Sequence, residues 1–145
     1  MFKFRDIFQA HNLKIWIKPF NIIAINGNGG LVQTVVDSVS IDKIKKVYGE
    51  EVDLFHFFLL NFTKDSKQQK TSKRKLLKQV KRARINFIES LAGYSLLCYI
   101  LQIKDRHNGN ILIDPQGHIV HVDFGFMLSN SPGGINFESN FKITR

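Results

Sequence analysis

A four-residue turn signal, Asp114-Pro115-Gln116-Gly117, limits the fold of this 145-residue chain more than any other stretch. Proline at the second position presets φ for a type I turn, and glycine is favoured at the fourth. Short apolar runs flank it, Ile111-Leu112-Ile113 before and Ile119-Val120-His121-Val122 after. The segment therefore predicts a tight antiparallel hairpin. Pairing Ile113 with His118 zips the strands back until Asn110 faces His121, and Asp123 then emerges beside the 105–110 loop. Two oxygen donors, Asn110 and Asp123, are thereby brought next to Asp105 and His107. Mg²⁺ takes a few hard oxygen ligands and leaves its other positions to water and substrate phosphates, so this layout suits a site holding Mg²⁺ against a phosphate.

The chain upstream of the hairpin reads as mixed α and β. Phe4, Ile7 and Phe8 have helical spacing over 2–11, starting at Met1 without a cap. Residues 12–18 alternate and then meet Pro19, which predicts an extended connector. Residues 21–26 and 31–36 read as strands joined by Gly27-Asn28-Gly29-Gly30. No Lys-Ser/Thr follows those glycines, so a hairpin turn fits them better than a phosphate loop. Asp37, Ser38 or Ser40 would cap a short helix over 41–47, and Asp53 would cap another over 54–61. Residues 63–72, polar and lysine-rich, read as a linker. From Lys73 to Ile103, apolar residues recur at three- and four-residue spacing and then all round beyond Leu91, predicting a long helix whose second half is buried.

Charge is local. The formal net charge is +9, but 64–84 alone holds ten Lys/Arg against one acid, while the remainder has eleven of each sign. An argument from overall basicity for nucleic-acid binding by the whole fold therefore fails, and no nucleic-acid partner is expected. No apolar run reaches the ~18 residues that cross a bilayer, and the first residues lack a signal-peptide cleavage pattern. The single cysteine, Cys98, lies in an apolar run and predicts a buried, reduced thiol.

A buried helix, then DRHNGN, then a hairpin, then DFG resembles the C-terminal lobe of the phosphatidylinositol 3-/4-kinase superfamily. Protein kinases place His before Arg and Asp in the catalytic loop; Asp-Arg-His is the order of the lipid kinases and their large protein-kinase relatives. The segments IWIKPFNIIAI, VVDSVSIDKIKK, AGYSLLCYILQIKDRHNGNIL and DFGFMLSNSPGGINFE resemble the phosphatidylinositol 4-kinase branch, type III beta class. The resemblance implies an α+β fold: a protein-kinase-like C-terminal lobe (37–145, with a Lys-rich insert at 64–84) preceded by a remnant of the N-lobe and hinge (1–36).

Carried over residue by residue, the resemblance makes Asp105 and His107 the candidates for orienting, or accepting a proton from, an inositol hydroxyl. Which of them is the base stays open, an imidazole being favoured by its near-neutral titration. Arg106 is either a phosphate contact or a structural partner of the loop. Asn110 and Asp123 would hold Mg²⁺ bridging the phosphates of ATP, and Gln33, Thr34 and Val35 match the hinge whose backbone binds adenine. His118 and His121 have ordinary strand or surface roles by default, and Asp114 is a turn residue. The implied reaction is phosphorylation of phosphatidylinositol at its 4-hydroxyl. Between Asp123 and Lys142 there is no Lys or Arg to meet additional phosphates, which fits an unphosphorylated inositide. The implied setting is cytoplasmic and peripheral to membranes, of the Golgi type.

Two departures accompany the resemblance. The Lys-rich 64–84 run is foreign to the family; it reads as a solvated insert, or else as attraction to anionic lipid at about 1 kcal/mol per Lys or Arg. No residue matches the family's phosphate-gripping lysine, so the chain alone is expected to be inactive or nearly so. Two alternatives therefore stand beside the lipid-kinase segment: a non-catalytic kinase-like remnant or binding module, and part of a phosphatidylinositol-3-kinase-related protein kinase.

Overall fold

The computed structural model describes all residues except Asn28, Lys70, Thr71 and 132–145, and for 62–69 the backbone alone. The tail after Gly125, whose Gly-, Ser- and Asn-rich composition reads as a long loop, is seen only to Ser131, and the rest of it lies outside the described residues.

The first helix, α1 (Phe2–Ala10), buries Phe8 and sets Phe4 against it at 6.3 Å between ring centroids. It ends in a paired closure: Asn12 at φ +52° donates its N–H to Gln9 O, and Leu13 donates to Phe8 O. Asn tolerates this left-handed conformation, so the last carbonyls of the helix are satisfied. The extended connector follows as expected. It crosses the long helix at Gly93, where a Cβ would fall 2.5 Å from Trp16 O and 2.7 Å from Ile17 Cγ2.

Strands β1 (Ile22–Asn26) and β2 (Gly29–Val32) form an antiparallel ribbon of their own. The second strand starts two residues earlier than the pattern predicts and stops four residues sooner. The Asn21 side chain and backbone N–H both donate to Gln33 Oε1, which ends the ladder. Asp37 at φ +54° and Ser38 Oγ bonding to Val35 O then turn the chain away.

β3 (Val39–Ser40) leads into α2 (Ile41–Tyr48), capped by Ser40 Oγ accepting from Lys43 N. α3 (Leu54–Gln69) begins where Asp53 accepts the His56 N–H at 2.6 Å. It does not stop at residue 61. Most of the expected linker is helical, because Lys, Gln and Ser carry no helix penalty comparable to that of Gly or Pro, neither of which occurs there.

α4 (Lys73–Leu101) runs 29 residues, and it leads to β4 (Ile111–Ile113) and β5 (Ile119–His121). β3, β4 and β5 form one antiparallel sheet in that order. Val80, Ala83, Asn86, Ser90, Tyr94 and Leu97 make the buried stripe of α4 at helical spacing. Its second half is buried on that stripe only. Tyr99 is 64% and Ile100 52% exposed, with Leu91 and Leu96 also outside, because all four lie off that stripe. The full burial expected beyond Leu91 is therefore corrected to one face.

Polar groups on the stripe hold the hairpin. Asn86 Nδ2 donates to Gln116 O at 2.8 Å. Ser90 Oγ donates to Asn86 O and accepts from Ile119 N. Ala83 packs where only glycine fits: a Cβ on Gly117, at φ +92°, would meet Ala83 Cβ at 2.7 Å.

Candidate active site

The hairpin forms, one residue out of the expected register. Ile113 pairs with Ile119, Leu112 with Val120 and Ile111 with His121. The turn takes three loop residues instead of two, because Gly117 at positive φ adds a bulge after the type I turn. Asp114 Oδ1 accepts from Gln116 N and His118 N, and Asp114 N donates to His118 O. Val122 N bonds to Asn110 O at 3.0 Å, so Asn110 lies opposite Val122 and Asp123 stands one residue beyond. The convergence survives the shift because both donors sit at the open end of the hairpin.

Three backbone ties shape the loop from Asp105 to Asn110. Asn110 N donates to His107 O, His107 N to Asp105 O, and Asp42 N, in the first turn of α2, to Asn108 O. The Asn110 amide also donates Nδ2 to Asp105 O at 3.1 Å, which commits the nitrogen inward and leaves Oδ1 as the group available to a cation. Asp105 sits at φ +60° and Asp123 at +57°. Left-handed backbone is tolerated by Asp but costs about 1–3 kcal/mol unless the surroundings impose it, and such residues gather at functional sites.

His107 is exposed. Its Nδ1 accepts from Gly109 N at 3.1 Å, so the neutral ring carries its proton on Nε2, the nitrogen 3.9 Å from Asp105 Oδ2. Residue 109 must be small, since a Cβ there would touch the imidazole at 2.9 Å. At 3.9 Å the imidazole and the Asp105 carboxylate are neighbours without a direct hydrogen bond.

Arg106 directs its guanidinium at carbonyls: Nε to Lys104 O at 2.9 Å, Nη1 to Val122 O at 2.7 Å, and Nη2 to Asp123 O. Phe124 lies near it, 5.5 Å from ring to guanidinium carbon, and stacks on Phe20 at 5.9 Å. Asp123 Oδ1 accepts the Gly125 N–H at 3.3 Å.

Gln33, Thr34 and Val35 lie just past the end of β2, with Gln33 N bonded to Asn21 O. From Val35 the chain enters β3 four residues on, and β3 pairs antiparallel with β4, so these residues are connected to the hairpin through the sheet. Phe20 gives a second connection, through Phe124.

Phe20, Lys104 and the two hairpin histidines gain roles that the sequence pattern did not assign. Buried Lys104 donates Nζ to Leu128 O at 2.7 Å and to Asn130 O at 3.2 Å, anchoring the segment after Gly125. Its signal was a cation at the end of an apolar helix. His118 and His121 are both buried, correcting any surface role. His118 stacks on Trp16 at 3.9 Å and pairs with Asp114 Oδ2 at 2.9 Å. Burial pushes the Asp114 carboxyl up, but hydrogen bonds from His118 outweigh it and hold the group below the usual range. His121 stacks on Tyr94 and lies 3.5 Å from Cys98 Sγ. Burial first, and Arg106 second, lower its pKa to about 3, so it is neutral. Burial also raises the Cys98 thiol, in keeping with an inert role.

Two cavities, of about 320 and 500 Å³, open at the Asp114–Gly117 end of the hairpin, away from Asp105 and Asp123. They are not the site assembled above. Among the described residues no cluster of three His, Cys, Asp or Glu forms a protein-only metal cage. One carboxylate and one amide oxygen at the mouth of a loop fit Mg²⁺ nonetheless, because that ion keeps waters and phosphate oxygens as its remaining ligands.

The sequence also matches known proteins. A family model described as phosphatidylinositol 3- and 4-kinase matches residues 1–144. Over 143 residues the chain is 48% identical to phosphatidylinositol 4-kinase beta 1 of Arabidopsis thaliana, covering 98% of this chain and 12% of that protein. It is 44% identical to a phosphatidylinositol 4-kinase of Dictyostelium discoideum over 99% of this chain and 11% of the relative. To phosphatidylinositol 4-kinase beta of Xenopus laevis it is 40% identical, over 97% of this chain and 16% of the relative. The chain thus spans between a tenth and a sixth of the length of these relatives.

Proposed function

The chain belongs to the phosphatidylinositol 3- and 4-kinase family, and from that premise we propose that it is the nucleotide–metal and catalytic-loop segment of a phosphatidylinositol 4-kinase. The reaction is transfer of the γ-phosphate of ATP to the 4-hydroxyl of phosphatidylinositol. One observation carries the reading: the hairpin sets Asp123 beside the Asp105–Asn110 loop, with Arg106 bonded to the carbonyls of Val122 and Asp123.

In this reading 1–36 is the N-lobe remnant and hinge, and 37–145 is the C-lobe portion with its basic insert. Asn110 Oδ1 and Asp123 hold Mg²⁺, which when bound supplies neutralisation of the phosphate charge. Asp105 accepts a hydrogen bond from the attacking hydroxyl and orients it. His107 lies with Nε2 3.9 Å from Asp105 Oδ2, close enough to act on that carboxylate through charge or a bridging water. Phe20 and the 33–35 segment place the adenine end.

The test is a graft. Residues 1–144 replace the matching region of the Arabidopsis relative, and phosphate incorporation into phosphatidylinositol micelles is measured with Mg²⁺ and ATP. Product at the 4-position, lost in Asp123→Ala, is expected; a folded graft with no product would refute the reading.

The membrane half of the proposal rests on α4. Lys73, Arg74, Lys75, Lys78, Lys81, Arg82 and Arg84 are all exposed, which suits a cytoplasmic enzyme peripheral to anionic, Golgi-type membranes. No helix among the described residues is long and apolar enough to cross a bilayer. Binding to phosphatidylserine vesicles should fall steeply with added salt; salt-independent binding would remove the basic segment from the proposal.

A further inference from the structure

Asp123 holds a left-handed backbone, and something must impose it. Two peptide planes flank its α-carbon. The carbonyl of one is Val122 O and that of the other is Asp123 O, and both accept from the same guanidinium. Because the guanidinium is planar and rigid, fastening both planes to it fixes φ and ψ at Asp123 together. A third bond, Nε to Lys104 O, anchors the guanidinium to the start of the catalytic loop. The Lys104 main chain is itself tied across to Phe126 O. The Phe124 ring beside the guanidinium closes the arrangement on the far side of Asp123 in sequence.

We propose that Arg106 is a positioning residue: it sets the conformation of Asp123, and so aims the carboxylate, and it does not contact a phosphate. The aiming role rests on the nucleotide–Mg²⁺ reading above; the backbone role does not. Its donors point at carbonyls on both sides of Asp123, and a lysine there, a single ammonium on a flexible stem, could not hold both planes at once.

Amide hydrogen exchange in the nucleotide-free chain tests the backbone role. In Arg106→Lys and Arg106→Ala the Gly125 amide, which donates to Asp123 Oδ1, should exchange about tenfold faster or more, with protection at Tyr94–Leu97 of α4 unchanged. Unchanged exchange at Gly125 in both variants would overturn the proposal. The second readout, taken on the graft into the Arabidopsis relative, is affinity for Mn²⁺–ATP, with Mn²⁺ as a paramagnetic stand-in for Mg²⁺. Removing a residue that orients a metal ligand typically weakens the metal by about 10–100-fold. Arg106→Lys should therefore weaken Mn²⁺–ATP by that factor and leave metal-free ATP binding unaltered. Equal weakening of ATP with and without metal would identify a phosphate contact and overturn the proposal. A folded wild-type graft that binds neither form would refute the nucleotide reading instead, and the exchange result would still decide the role of Arg106.

Discussion

Replacing Ser90 by alanine should be among the costliest small substitutions in the chain. Its hydroxyl is fully buried, donates to Asn86 O at 2.7 Å and accepts from Ile119 N at 2.9 Å. Alanine removes the acceptor and leaves the first N–H of β5 facing an apolar helix surface. A buried donor without a partner costs about 1–3 kcal/mol. The Asn86 carbonyl keeps its helical partner, so nothing further is lost there. Alanine's better helix propensity returns roughly half a kcal/mol, leaving a net loss of about 0.5–2.5 kcal/mol. At about 2.1 cal/mol/K of unfolding entropy per residue, a domain of this length loses about 3 °C per kcal/mol, so the melting temperature should drop by about 2–8 °C. Urea unfolding and calorimetry measure it, and exchange at the Ile119 amide should accelerate beyond the global change. A loss below about 0.3 kcal/mol would show that Ser90 does not support β5 and would refute the account of how α4 grips the hairpin.

Two other outcomes follow from the same contacts. Gln102 closes α4 at φ +46° and is exposed. Gln102→Gly should stabilise the chain, relief of about 1–2 kcal/mol exceeding the roughly 0.4–1 kcal/mol that glycine adds to unfolded-state entropy; a lower urea midpoint would contradict it. His121, ordinarily near 6.5, is held to about 3 by burial and by Arg106. The unfolded chain then binds the proton that the folded chain refuses, so stability is lost as pH falls from about 6.5 towards 3, by at most about 1.4 kcal/mol per unit. His121→Phe, which keeps a ring against Tyr94, should flatten that slope between pH 6.5 and 5 in urea titrations; an identical slope would assign the acid sensitivity elsewhere.

What was legible in the sequence was whatever a local rule encodes. Ser40 and Asp53 cap α2 and α3 where the pattern put them, and the spacing of Leu76, Val80, Phe87 and Leu91 announced α4. The linker failed because lysine-rich polar composition is read as a loop although its residues are acceptable helix formers. Burial beyond Leu91 failed for a different reason. An all-apolar helix surface says that the residues avoid water, and only the width of what packs against them decides how many succeed. Tyr99 and Ile100 stay outside because they lie off the stripe that meets the hairpin, while Cys98 and Leu101 on either side of them pack on the core.

The site itself shows the limit more sharply. Residue types and order were enough to bring Asn110, Asp123, Asp105 and His107 to one end of the hairpin, because chain connectivity alone guarantees it once the turn is placed. The register came out one residue wrong, since the sequence Asp-Pro-Gln-Gly allows Gly117 either to close the turn or to add a bulge, and contact with Ala83 on α4 accompanies the bulge. That single step exchanges the partner of Asn110 from His121 to Val122 and pairs His121, which stacks on Tyr94, with Ile111. It also brings Val122 and Asp123 carbonyls within reach of Arg106. A residue read from the motif as a phosphate contact or a structural partner thus takes its place from a glycine eleven positions away. Long-range packing chose the register, and the register chose what the arginine holds.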